Sequence, residues 1–199
     1  MVDAVTYHKR YPRFLTPEEC QEIIEVIEEY KDVVPRGTFE ETGYYGLTQT
    51  YDRYNWLHNP ALSHLKLDQR LFDLPEFEDW DYMVTQCWGN RLQVGESLSR
   101  HYHGAQVPDD IRRNNFYSAN IYLAGEDNIT WYEDWGDTYN GVGDIHIFSC
   151  NLEHEVYTNT GSDIRYSMAI DIYNEYHDNM HNTYRWKITK NQVVSDRPQ

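Results

Sequence analysis

The sequence predicts a mainly β domain with a helical preface, and three observations predict it. The chain of 199 residues is 15% aromatic, with 18 Tyr and 6 Trp, and flat aromatic side chains favour sheet over helix. From about Asp81 onward, short apolar or alternating runs follow one another: Tyr82 to Trp88, Arg91 to Val94, Leu98 to Tyr102, Phe116 to Leu123, Ile129 to Tyr132, Asp144 to Phe148, Glu155 to Thr158 and Ile164 to Tyr173. Turn formers punctuate them at Gly89-Asn90, Gly125, Gly136, Asn140-Gly141 and Gly161. Short strands without intervening helices argue for a sandwich or barrel rather than for strand–helix alternation.

The elements follow in order. Met1 to Arg13 is polar and mixed and lacks the apolar core of a secretory signal. Thr16-Pro17-Glu18-Glu19 is a helix start: Thr16 can cap, Pro17 suits the first helical position, and Glu19 completes a capping box. Ile23, Ile24, Ile27 and Tyr30 then recur at helical spacing, so a helix is expected at 17–31, ended by Pro35 and Gly37. Asn59-Pro60 opens a second expected helix through Leu62, Leu65, Leu71 and Phe72 to Pro75. The division is 1–80 as helical preface, 81–190 as β core and 191–199 as tail.

The last strand is informative by itself. Successive side chains of a strand point to opposite faces. Ile164, Tyr166, Met168, Ile170 and Ile172 make one continuous apolar face, expected to pack on the helix at 17–31. Arg165 and Ser167 begin the other face and would point into the barrel. A charged Arg there needs an anionic partner, either a protein carboxylate or a bound acid.

The formal net charge of −16 opposes binding to nucleic acid or to anionic membranes over most of the surface, and Arg112-Arg113 is the one short basic candidate near the motif region. No run approaches 18 apolar residues, so no membrane span is expected. Cys20, Cys87 and Cys150 are an odd number without metal-type spacing and read as reduced thiols of a cytoplasmic protein.

Arg100-His101-Tyr102-His103-Gly104 carries the chemistry. Positions i and i+2 of a strand share a face, so His101 and His103 would present two imidazoles side by side. Imidazole is the commonest protein ligand for first-row metals. His154 stands at a turn entering a strand, and a jelly roll would bring it beside a strand some 50 residues earlier. His8, His58, His64, His177 and His181 read as surface residues, and His146 as a partly buried strand histidine with one hydrogen bond.

The ordered set comprises the HxH pair, Ser118-Ala119-Asn120-Ile121-Tyr122-Leu123, Gly143-Asp144-Ile145-His146-Ile147-Phe148, His154 and Arg165-Tyr166-Ser167. Over roughly residues 82–173 it resembles the iron(II)/2-oxoglutarate oxygenases, most closely the prolyl-4-hydroxylase-like branch with its bacterial and phage relatives. The opening Leu15-Thr16-Pro17-Glu18-Glu19-Cys20 is similar to the helix preceding that family's core. The resemblance implies a double-stranded β-helix that binds Fe(II), 2-oxoglutarate and O2 and hydroxylates a C–H bond of a peptide, a protein or a small molecule. It implies His101 and His154 as metal ligands, Arg165 and Ser167 on the far carboxylate of 2-oxoglutarate, and Tyr122 on the same carboxylate, with Ser118 and Asn120 sharing its face. No catalytic residue beyond the metal ligands is implied, and the compartment would be the cytoplasm, a host's if the chain is phage-encoded.

The sequence departs from this pattern at position 103, where the family has a carboxylate. Because His101 and His103 share a face, His103 is expected to be a ligand; the rival is a carboxylate from Asp109, Asp110, Glu133 or Asp134. Three histidines also resemble hydrolytic zinc sites, so a zinc hydrolase or another dioxygenase is the second reading. A non-catalytic structural or carbohydrate-binding jelly roll is the third. The stretch Gly104 to Asn115 is a candidate lid.

Overall fold

The protein is seen in a computed structural model, which describes residues 7–30, 56–103, 116–174 and 186–190. The 104–115 stretch, with Asp109, Asp110 and Arg112-Arg113, lies outside the described residues, as do His177, His181 and the tail from 191.

Among the described residues, ten strands form two antiparallel sheets. They are β1 (His8–Tyr11), β2 (Tyr82–Leu92), β3 (Leu98–His101), β4 (Phe116–Ala124), β5 (Ile129–Tyr132), β6 (Gly136–Tyr139), β7 (Ile145–Ser149), β8 (His154–Val156), β9 (Arg165–Tyr173) and β10 (Trp186–Thr189). The larger sheet runs β1-β7-β4-β9-β2-β10 and the smaller β3-β8-β5-β6. Every pair is antiparallel. This is the jelly roll, or double-stranded β-helix, expected from the sequence.

Helix α1 (Pro17–Tyr30) starts at the expected capping box: the Thr16 amide donates to Glu19 Oε2 at 2.8 Å, and the Glu19 amide donates to Thr16 Oγ1 at 3.2 Å. Ile23, Ile24 and Ile27 join Tyr166, Met168, Ile170 and Ile172 in one core cluster, so the even face of β9 packs under α1. Central β9 lies between β4 and β2 and is buried along its whole length. Its odd residues Arg165, Ser167 and Asp171 therefore face the interior between the sheets, with Ser118 and Asn120 of β4 on the same side by register.

Three expectations are corrected. Tyr82 to Trp88 and Arg91 to Val94 are not two strands, since β2 runs unbroken through Gly89-Asn90. Gly89 is small because a Cβ there would stand 2.9 Å from Cγ1 of Ile27, so the glycine admits α1 to the sheet. The second helix is also not continuous. A 3-10 turn at Pro60–Leu65 ends at Lys66 in the left-handed region, and α2 (Leu67–Phe72) restarts. The step of two from Leu65 to Leu67 turns a helix by about 200°, so only a break lets both leucines stay buried. Finally, His8 is no surface residue: it sits on β1, and its Nε2 lies 3.0 Å from Nδ1 of fully buried His146. Among the described residues no helix is long and apolar enough to cross a membrane.

Candidate metal centre

β3 pairs with β8 so that His101 stands opposite His154. β3 ends at His101, and the chain leaves the sheet through Tyr102; the His103 amide donates to the Cys150 carbonyl at 2.7 Å. The alternation survives this exit. Ring centroids are 4.3 Å apart for His101–His154, 5.3 Å for His101–His103 and 5.1 Å for His103–His154.

The hydrogen bonds fix how these rings are used. Nδ1 of His101 faces the Ser99 carbonyl at 2.7 Å, and Nδ1 of His154 faces the Leu152 carbonyl at 3.0 Å. Nδ1 of His103 faces Oδ1 of Asp171 at 2.8 Å. A carbonyl or carboxylate only accepts, so each Nδ1 carries a proton, and in the neutral ring Nε2 is the atom left with a lone pair. Nε2 of His103 and Nε2 of His154 lie 3.3 Å apart, and with both rings neutral a shared cation would satisfy their two lone pairs. One ligand atom from each of His101, His103 and His154 lies within 4.8 Å of the others. Among the described residues no carboxylate joins this group, Glu133 and Asp134 included.

Burial pulls His101 down to about 4, with neighbouring His103 adding to the effect. Burial, then the two neighbouring imidazoles, holds His154 well below the usual histidine range. Both rings are therefore neutral at pH 7, the state that binds a metal. Trp88 stacks on His103 at 5.7 Å, and Phe148 and Tyr132 flank His154 at 4.8 and 5.8 Å, which shields one side of the group from water.

Deeper between the sheets lies Arg165, 1% exposed. Its Nε donates to the Asp127 carbonyl at 3.0 Å and its Nη2 to Thr130 Oγ1 at 3.2 Å, while Nη1 has no partner among the described residues. The Asp127 carboxylate turns away, accepting from the Thr160 and Gly161 amides. The expected protein carboxylate is thus absent among the described residues. Burial lowers Arg165 to about 10, which leaves it a cation at neutral pH.

The remaining sequence-derived residues divide. The Tyr122 ring faces the Arg165 guanidinium at 5.4 Å, but its hydroxyl donates to the Gly125 carbonyl and has no second proton to offer a carboxylate. Ser167 Oγ accepts from Asn90 at 3.5 Å, and Ser118 Oγ donates to Asp171 at 2.9 Å. Asn120 is half-buried opposite His146. Two interior residues carry no role in the sequence reading. Tyr132 is fully buried with an unpartnered hydroxyl, close enough to Arg165 to feel its charge. Asp171 holds His103. The alternation of Ile129 to Tyr132 and of β9 places both inside, and that parity is the signal that could have found them.

Fold and site together define a jelly roll with three converging imidazoles at one end and an unsatisfied buried cation inside. No family model and no curated protein sequence matches the chain. Solved structures do. A prolyl-4-hydroxylase from Pseudomonas putida superposes with a TM-score of 0.61 at 15% identity, covering 87% of this chain and 95% of that one. The viral collagen prolyl hydroxylase of Paramecium bursaria Chlorella virus-1, in complex with 2-oxoglutarate, gives 0.59 at 15% identity over 86% and 98%. HygX from Streptomyces hygroscopicus, with nickel and 2-oxoglutarate bound, gives 0.60 at 14% identity over 86% and 83%. What is shared at this identity is the fold.

Proposed function

We propose that the chain is an iron(II)/2-oxoglutarate-dependent oxygenase that hydroxylates a C–H bond. The observation that carries this reading is the unpartnered Nη1 of fully buried Arg165, inside the same barrel whose end gathers three Nε2 lone pairs. A buried guanidinium with a donor to spare needs an anion, and three proton-fixed imidazoles need a cation. A 2-oxo dicarboxylic acid is a ligand that would satisfy both ends at once.

The residues present fit both groups. His101, His103 and His154 would hold iron through Nε2, their rings oriented by Ser99, Asp171 and Leu152. Arg165 would take the far carboxylate through Nη1, and Tyr132 is better placed than Tyr122 to donate a second hydrogen bond, because its hydroxyl is free. Thr130 and the Asp127 carbonyl keep the guanidinium aimed. Asn90, Ser118, Asn120 and Ser167 supply the polar lining. Bound iron would supply chelation of the 2-oxo acid and activation of O2, so that 2-oxoglutarate, O2 and R–H give succinate, CO2 and R–OH. The protein contributes position and a shielded pocket.

The prolyl hydroxylases among the structural neighbours favour a peptide or protein substrate. Three buried cysteines, none of them in a disulfide, suit the reducing cytoplasm. A zinc hydrolase on the same scaffold leaves Arg165 without a role.

The test uses purified chain with Fe(II), 2-oxoglutarate and O2, and calorimetry with 2-oxoglutarate and anaerobic Fe(II). Succinate should form, and Arg165→Ala should weaken 2-oxoglutarate binding by about 2–5 kcal/mol. Metal-replete protein that neither binds 2-oxoglutarate nor yields succinate overturns the reading.

A further inference from the structure

Three neutral ligands leave a divalent cation with its full charge in a half-buried site, where charge is expensive. The structure holds an anion one hydrogen bond away. Asp171 is 8% exposed, and its Oδ1 accepts from Nδ1 of His103 at 2.8 Å. Ser118 Oγ donates to the same oxygen at 2.9 Å, and Tyr173 approaches Oδ2 at 3.5 Å. No lysine or arginine pairs with Asp171 among the described residues, and its one ion-pair partner there is His103. The contrast at Nδ1 is what matters: in His101 and His154 it meets a neutral backbone carbonyl, and in His103 it meets a carboxylate.

We infer that His103 and Asp171 work as one anionic ligand unit, with Asp171 acting through His103 as a positioning residue that supplies the negative charge the three-imidazole set lacks. This rests on the reading that the three imidazoles hold a divalent metal. The carboxylate pulls on the Nδ1 proton, fixes the tautomer and raises the electron density at Nε2. Central β9 fixes the backbone of Asp171 between two neighbours, in register with Gln86 on one side and Ser118 on the other.

The test measures Co(II) affinity by calorimetry and the visible Co(II) spectrum of the full chain. Asp171→Asn keeps the shape and an acceptor oxygen but removes the charge. It should bind Co(II) about 10–100-fold more weakly, with a shifted spectrum, and unfold at a temperature near that of the parent. A second background separates charge from architecture. His103→Asp would set two carboxylates against each other, so adding Asp171→Asn to H103D should tighten Co(II) binding instead. Opposite signs in the two backgrounds support the inference. Unchanged affinity in D171N, or loss of the same sign in both backgrounds, overturns it while leaving the three-imidazole reading intact. A parent chain that binds no Co(II) overturns both.

Discussion

Two tyrosines one sheet apart show how much a single hydroxyl decides. Tyr122 donates to the Gly125 carbonyl, whereas Tyr132 is buried with nothing to donate to. Tyr132→Phe should weaken 2-oxoglutarate binding by about 1.5–3 kcal/mol, the range for hydrogen bonds to charged groups. Tyr122→Phe should act mainly on stability, by about 1 kcal/mol, because it strands a carbonyl. Calorimetry and thermal unfolding of both variants check this; a larger binding loss in Y122F than in Y132F reverses the assignment. At this scale the sequence was legible wherever parity and residue type agreed: His101, His103 and Arg165 announce themselves because histidine and arginine are uncommon on inward strand faces. Tyr132 and Asp171 obey the same parity, but among 18 Tyr and an excess of acids neither stands out. Their importance comes from a partner on another strand, and no local pattern encodes that.

Helix α1 meets β2 through one contact that tolerates no side chain. A methyl group on Gly89 would stand 2.9 Å from Cγ1 and 3.0 Å from Cδ1 of Ile27. Gly89→Ala should therefore cost about 1–3 kcal/mol by overpacking, and Ile27→Ala about 2–5 kcal/mol by leaving a cavity. Together they should cost less than their sum, since each relieves the other. Urea unfolding of the four-member cycle reads the coupling, and strict additivity would mean that α1 simply shifts away. The glycine was legible as a breaker but not as a packing site, because the sequence shows the missing side chain and not the helix lying over it. β1, β6 and β10 escaped detection for another reason. They lie at sheet edges, and polar stretches such as His8-Lys9-Arg10-Tyr11 lack the alternation of half-buried strands. The second expected helix failed because its leucines were counted without regard to phase.

The whole molecule carries a pH dependence to which two histidines outside the candidate metal centre contribute, beside His101 and His154. Burial lowers His8 to about 4 and His146 to about 3, and for His146 the neighbouring His8 and Arg10 add to the effect. In the unfolded chain both titrate near 6.5. Between those values the unfolded state binds more protons than the folded one, so acid favours unfolding. The stability contributed by the neutral pair is fully present above pH 6.5 and is lost as pH falls toward 4. Denaturant unfolding of the metal-free chain from pH 7.5 to 4.5 should show this decline, and His146→Gln should flatten part of it. A stability that stays level across that window contradicts the buried neutral pair.

Strand β9 places two vocabularies on one sentence of the chain. Its even residues pack under α1, and its odd residues Arg165, Ser167 and Asp171 face the interior between the sheets. Substitutions at odd positions can thus change the interior lining one at a time without disturbing the packing under α1. A single inserted or deleted residue, by contrast, would exchange the two faces at once, driving isoleucines into the pocket and charges under the helix. Lineages descending from this chain should accordingly diversify here by replacement and keep the length of β9 unchanged.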